Sequence, residues 1–165
     1  LDQAAQQARR QALGAFAAAL LVRLVYADAI AIVDPDHTIA TQGIFSTLPG
    51  NGSMDISTST ALLDQILGTA ILLFLILAVT DVRNNAPAAW LAPFIVGLIV
   101  VAIGMAWGTN AGYAINPARD LGPRIMHAVL PIAGKGSSDW SYAWVPVIGP
   151  IIGGAVAGLV FKGLY

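Results

Sequence analysis

The sequence predicts an all-α membrane protein, a helical bundle of four spans plus one re-entrant half-helix. Hydrophobic residues make up 57% of the chain and charged ones 10%, far from the balance of a soluble domain. Four apolar segments each approach the ~20 residues that a helix needs to cross ~30 Å of hydrocarbon. Between the last two, a glycine, an Asn-Pro pair and an arginine break the pattern from Gly112 to Arg119.

The first segment runs from about Ala12 to Ile32 and contains Arg23 and Asp28. The second runs from about Ala61 to Val79, the third from about Ala88 to Trp107, and the fourth from about Ala143 to Phe161. A shorter candidate, Pro117 to Leu130, lies between the third and fourth. At ~1.5 Å per residue it reaches only about 20 Å, so it enters a membrane without crossing. Proline is favoured at the first helical position, where its missing N–H has no partner to lose. Asn116 then falls at the N-cap, at the positive end of the helix dipole. Non-helical backbone at membrane depth needs protein or water around it. A half-helix that stops at mid-membrane is a channel-type device.

Loop charges predict an orientation. With alternating crossings, Arg9, Arg10, Arg83 and Lys162 fall on one side. The segment from Asp34 to Thr60 has no Lys or Arg but holds Asp34, Asp36 and Asp55. The positive-inside rule places the first group in the cytoplasm and the long loop outside. Only Lys135 falls clearly on the outer side. Pro49-Gly50-Asn51-Gly52-Ser53 reads as tight turns within that loop. Gly14, Ala18, Gly68, Gly97, Gly104, Gly149, Gly153, Gly154 and Gly158 suit close approach of helices in lipid.

Other chemistries find little support. The net charge of −1 and the absence of a basic run give no grip on nucleic acid. Cysteine is absent, and His37 and His127 lack ligand-spaced partners, so no metal or cofactor is expected. No nucleophile–base pair stands out, so no catalytic residue is assigned and no enzyme is expected.

Gly112-Tyr113-Ala114-Ile115-Asn116-Pro117-Ala118-Arg119, continued by Asp120-Leu121-Gly122-Pro123, resembles the second Asn-Pro-Ala loop of the aquaporin superfamily. The aspartate after the arginine is similar to the glycerol-conducting branch, the aquaglyceroporins. Gly14 to Ala19, Asp64 to Ala70, Leu91 to Phe94 and Trp144 to Pro150 occur in the family's order and spacing. The resemblance runs from about Gln11 onward. It implies an aquaporin-like right-handed bundle, with residues 1–165 forming the C-terminal part of a channel domain. It also implies a multi-pass protein of the cell membrane, a bacterial inner or plasma membrane. Glycerol, other small uncharged solutes and water would be conducted, and a full-length chain would form a homotetramer in the lipid bilayer.

The resemblance assigns roles residue by residue. Gly104, Tyr113 and Arg119 match three positions of the outer selectivity filter; the fourth lies in a span outside this chain. In water-selective relatives a bulkier histidine stands where Gly104 does, so the glycine speaks for a three-carbon solute. Unwound Gly112, Tyr113 and Ala114 would offer carbonyls, while Asn116 and Arg119 would offer donors. Pro117 and Ala118 complete the motif. Asp120 would tie the loop down, and Asp64 and Gln65 would satisfy its backbone from behind. Glycerol has carbons on one edge and hydroxyls on the other. A dry passage must therefore replace its lost water bonds on one side only. Half-helix dipoles and Arg119 would raise the barrier to protons and cations.

Three readings stay open. Arg119 either lines the filter or anchors the loop through carbonyls. The outer loop is either a flexible connector or, through Ile44 to Pro49, an ordered vestibule. The chain also holds a single Asn-Pro-Ala and begins with Leu. It is expected to be part of a complete channel, or else a truncated, non-conducting subunit that packs with intact channels. Arg23 departs from the family pattern and is expected to snorkel to the outer interface. Arg124 reads as structural.

Overall fold

A computed structural model of the chain describes residues 2–85 and 87–164. Leu1 and Tyr165, the ends of the expected unit, lie outside them. Helix α1 spans Asp2–Val25, α2 Ala27–Val33, α3 Ile39–Gln42, α4 Thr58–Thr80, α5 Ala92–Ala111, α6 Pro117–Val129 and α7 Val145–Leu164. A 3-10 turn covers Pro49–Gly52. The protein is all-helical. Helices α4, α5 and α7 are long and apolar enough to cross a membrane, and α1 with α2 makes a fourth candidate span, bent by 67°.

That bend departs from the single segment expected over Ala12 to Ile32. Helix α1 begins at Asp2, because Ala, Gln, Arg and Leu are good helix formers even where the stretch is polar. It stops at Val25, and Tyr26 (φ −100°, ψ 14°) caps a separate α2. No glycine or proline marks the break. The third span is displaced as well. Pro93 sits in the first turn of α5, where proline is tolerated. The helix then carries Thr109 and Asn110 to a left-handed C-cap at Gly112 (φ 68°).

Close backbone approach holds the spans together. A Cβ on Gly149 would stand 2.7 Å from Gln65 Cβ, and one on Gly153 would overlap the Ile66 carbonyl oxygen. Helices α4 and α7 therefore touch along a glycine seam, and Phe74 meets Phe161 edge-on at 5.9 Å. Gly122 does the same for α6 on α1: a Cβ there would be 2.8 Å from the Ala12 carbonyl oxygen. Gly14, Gly97 and Gly158 meet nothing within 4 Å, so packing within the described residues does not explain them. Little of α5 is covered by the other described elements.

The long loop packs onto the helices. Phe45, Ser46, Thr47 and Leu48 are buried. Gly50, Asn51 and Gly52 all adopt left-handed backbone, which turns the chain sharply enough for Asn51 Nδ2 to donate to the Gly108 carbonyl at 3.1 Å. The loop is thereby pinned to the end of α5.

Candidate functional site: an unwound segment between two helices

The segment from Gly112 to Asn116 leaves helical form. Gly112 (φ 68°), Tyr113 (φ 38°) and Ile115 (φ 43°) are left-handed. Two of these are not glycine, and each such residue costs on the order of 1 kcal/mol or more. One side chain over-determines the path. Gln65, fully buried on α4, donates Nε2 to the Ala111 carbonyl at 3.1 Å and accepts the Ile115 N–H on Oε1 at 2.9 Å. The amide orientation follows, since a backbone N–H can only donate. Among the described residues no hydrogen bond reaches the Gly112, Tyr113 or Ala114 carbonyls.

Helix α6 restarts the chain. Asn116 (φ −158°, ψ 118°) is its N-cap, and Oδ1 accepts the Ala118 N–H at 2.9 Å. Pro117 follows at N1. Pro123, inside the helix, lacks the N–H that would bond the Arg119 carbonyl. At the far end Lys135 Nζ donates to the carbonyls of His127 (2.6 Å) and Ala128 (2.8 Å). A cation at a helix C-terminus is favourable. The one lysine that the charge pattern leaves on the outer side is a helix cap.

Three separated residues come together above this segment. A Cβ on Gly104 would stand 3.2 Å from Cε2 and Cζ of Tyr113, and one on Gly108 would stand 3.3 Å from its Cδ1. The tyrosine ring lies in the space that these two α5 glycines leave. The Arg119 guanidinium carbon is 5.8 Å from the ring centroid, within cation–π range. Arg119 is half-buried and has no hydrogen-bond partner among the described residues. Asn116, Ala118 and Arg119 also border an open groove of about 450 Å³, whose other wall is Gly14, Ala15 and Ala18 of α1.

Asp64 and Asp120 stand apart from these three. Asp64 accepts from Asn110 Nδ2 at 3.1 Å and makes no bond to the 112–115 backbone. Asp120 accepts the Thr47 N–H (2.7 Å) and hydroxyl (2.6 Å) and pairs with Arg124. It ties down the long loop at residue 47, not residues 112–115. Arg124, which the sequence marks only as structural, uses every N–H it has. Nε and Nη2 serve Asp120, Nη2 serves the Thr47 carbonyl, and Nη1 serves the Ser138 and Asp139 carbonyls. The i, i+4 spacing of Asp120 and Arg124 signals the pair. Its distant carbonyl partners leave no local signal.

A half-helix capped by Asn-Pro, beside an unwound carbonyl-bearing segment and an arginine over an aromatic ring, places the chain in the Asn-Pro-Ala class of membrane proteins. The chain belongs to the major intrinsic protein family, whose model matches residues 2–161. It is a multi-pass membrane protein of a channel family, not an enzyme. It is 44% identical over 155 residues to the glycerol uptake facilitator protein of Bacillus subtilis, covering 94% of this chain and 53% of that protein. It is 45% identical to the probable glycerol uptake facilitator protein of Thermotoga maritima, covering 94% of this chain and 62% of the relative. The X-ray structure of the aquaglyceroporin from Plasmodium falciparum superposes with a TM-score of 0.75 at 30% identity, over 92% of this chain and 60% of that one. The chain spans about half to three-fifths of the length of these relatives.

Proposed function

We propose that the chain is part of a complete aquaglyceroporin that conducts glycerol, other small uncharged solutes and water. The observation that carries this is the meeting of Gly104, Tyr113 and Arg119. A glycine at 104 lets the Tyr113 ring lie back against α5 and adds no polar group to the passage. The Tyr113 ring offers a face to the carbon edge of a polyol. Arg119 offers free donors to its hydroxyls, and the carbonyls of Gly112, Tyr113 and Ala114 offer acceptors. Asn116, fixed by its own cap bond, keeps its amide N–H groups for a passing oxygen. With Pro117 and Ala118 it sets the positive end of α6 in the passage, which disfavours cations. Gln65 holds the strained loop, while Asp64 and Asp120 fix the neighbouring segments.

The groove beside Asn116 and Arg119 is open along α1, which favours a pore wall completed by further polypeptide. The same observation supports a second reading, in which the chain packs with intact channels without conducting. In either reading a homotetramer in the bilayer is the expected assembly. The test is light scattering of proteoliposomes under a glycerol gradient. One set holds the full-length protein, one this chain alone, and one both together. Glycerol and water flux from the full-length protein supports the channel. Water flux that excludes glycerol contradicts the polyol assignment. Lowered flux on adding the short chain favours the second reading.

A further inference from the structure

The strained path at Gly112 and Tyr113 is gripped by the long loop as well as by Gln65. A Cβ on Gly112 would stand 3.0 Å from Thr47 Cγ2 and 3.2 Å from Asn51 Oδ1. The other end of the same amide, Asn51 Nδ2, donates to the Gly108 carbonyl at 3.1 Å and, more weakly, to the Thr109 carbonyl at 3.4 Å. Carbonyls only accept, so the amide nitrogen faces α5 and the oxygen faces Gly112.

Both carbonyls belong to the last turn of α5, where a helix leaves its C=O groups without intrahelical partners. The Gly108 carbonyl also accepts the Gly112 N–H at 3.2 Å. A side chain 57 residues away in sequence thus caps this helix. Asn51 does so from left-handed backbone at φ 53°, between Gly50 and Gly52. Asparagine and aspartate tolerate that conformation better than other side chains. Of the two, only asparagine carries a donor at neutral pH.

What this cap holds is the surface on which an aromatic ring lies. A Cβ on Gly108 would stand 3.3 Å from Tyr113 Cδ1. Tyr113 also follows Gly112 directly in the chain. The ring position therefore depends on two backbone features, the last turn of α5 and the turn at Gly112, and the Asn51 amide touches both.

We infer that Asn51 is a positioning residue for solute selection. By capping α5 and seating Gly112 it keeps the Tyr113 ring back against Gly104 and Gly108, clear of a three-carbon solute. This rests on the polyol-channel reading above. Asn51 acts through the ring and not on the solute. When the cap is lost the last turn of α5 loosens, the ring samples the passage, and glycerol is hindered more than water.

The test measures glycerol and water permeability of the full-length protein in proteoliposomes by stopped-flow light scattering. Asn51→Gly keeps the left-handed backbone and removes the cap. Asn51→Asp keeps the shape but turns an acceptor towards two carbonyls. Both are expected to lower the glycerol-to-water ratio by roughly threefold, the scale of one net hydrogen bond. Both are also expected to speed amide hydrogen exchange in residues 108–113, a local opening that this measurement reads. Ser53→Ala removes a bond of the same turn, Ser53 Oγ to the Gly50 carbonyl, and should leave both readouts unchanged. Monodisperse elution and retained water flux identify folded variants. If one variant at 51 fails to fold, the other decides; if both fail, Asn51 serves the fold and not selection, and the inference is overturned. A parental ratio in a folded Asn51 variant, or an equal fall in Ser53→Ala, also overturns it. A parent that passes water but no glycerol overturns the polyol reading and this inference with it, so the parent's own flux tells the two failures apart.

Discussion

Arg124 and Asp120 form a fully buried ion pair one helical turn apart, with Nε 2.8 Å from Oδ1. Around it the long loop at Thr47, helix α6 and the loop at Ser138 are joined. Replacing either partner alone leaves an unpaired buried charge, which costs roughly 3–5 kcal/mol. Arg124→Lys is expected to fail almost as badly as Arg124→Met. Three tetrahedral donors cannot replace a planar fork whose five N–H groups all have acceptors. Thermal unfolding of the detergent-solubilised variants measures this. A lysine variant as stable as the parent would mean that the charge alone matters.

Gln65 bridges a carbonyl and an N–H, which an amide can do and an ionised carboxylate cannot. In Gln65→Glu the carboxylate can accept from Ile115 but cannot donate to Ala111. An unsatisfied buried acceptor costs about 1–3 kcal/mol. The protonated carboxyl can donate again, so this variant is expected to gain stability relative to the parent as pH falls. Gln65→Leu should be impaired at every pH. Melting temperatures of the three proteins across the acid range decide it. A pH-independent glutamate variant would exclude the bridge.

The long loop has an acid-sensitive fastening. The Thr38 backbone N–H and, against some burial, the Thr41 hydroxyl at 2.8 Å hold the Asp34 carboxyl below the ordinary aspartate range. A lowered value contributes stability that is present above the unfolded aspartate range. That contribution is lost as pH falls through the folded value. Asp34→Asn is therefore expected to flatten the acid limb of the stability profile. Unfolding followed by tryptophan fluorescence between neutral and strongly acidic pH measures it. An unchanged acid limb would place the sensitivity elsewhere.

What could be read from the sequence was local. Asn116-Pro117 announces a helix start because N-cap chemistry and the missing N–H of proline act within one turn. Spans centred on residues 70 and 153 follow from uninterrupted apolar runs. The break at Tyr26 has no such sign, since no residue there prevents a helix. The ends of α5 were displaced because apolarity ignores where Pro93 and Gly112 start and stop it. The partners of Gln65, Arg124 and Lys135 lie up to 77 residues away in sequence. Charge and polarity mark those side chains as needing partners, but only the fold supplies them.

The reading of Gly104, Tyr113 and Arg119 as a polyol-sized constriction is tested most directly by Gly104→His in the full-length protein. Even a Cβ at this position would meet the Tyr113 ring at 3.2 Å, so an imidazole must push the ring or fill the passage. Either change narrows the path for a three-carbon solute while leaving Arg119 and the segment's carbonyls to serve water. The measurement is the ratio of glycerol to water permeability in proteoliposomes, by stopped-flow light scattering. We expect that ratio to fall by roughly tenfold, about 1.4 kcal/mol in barrier height. Equal loss of both fluxes, or unchanged glycerol flux, would contradict the assignment.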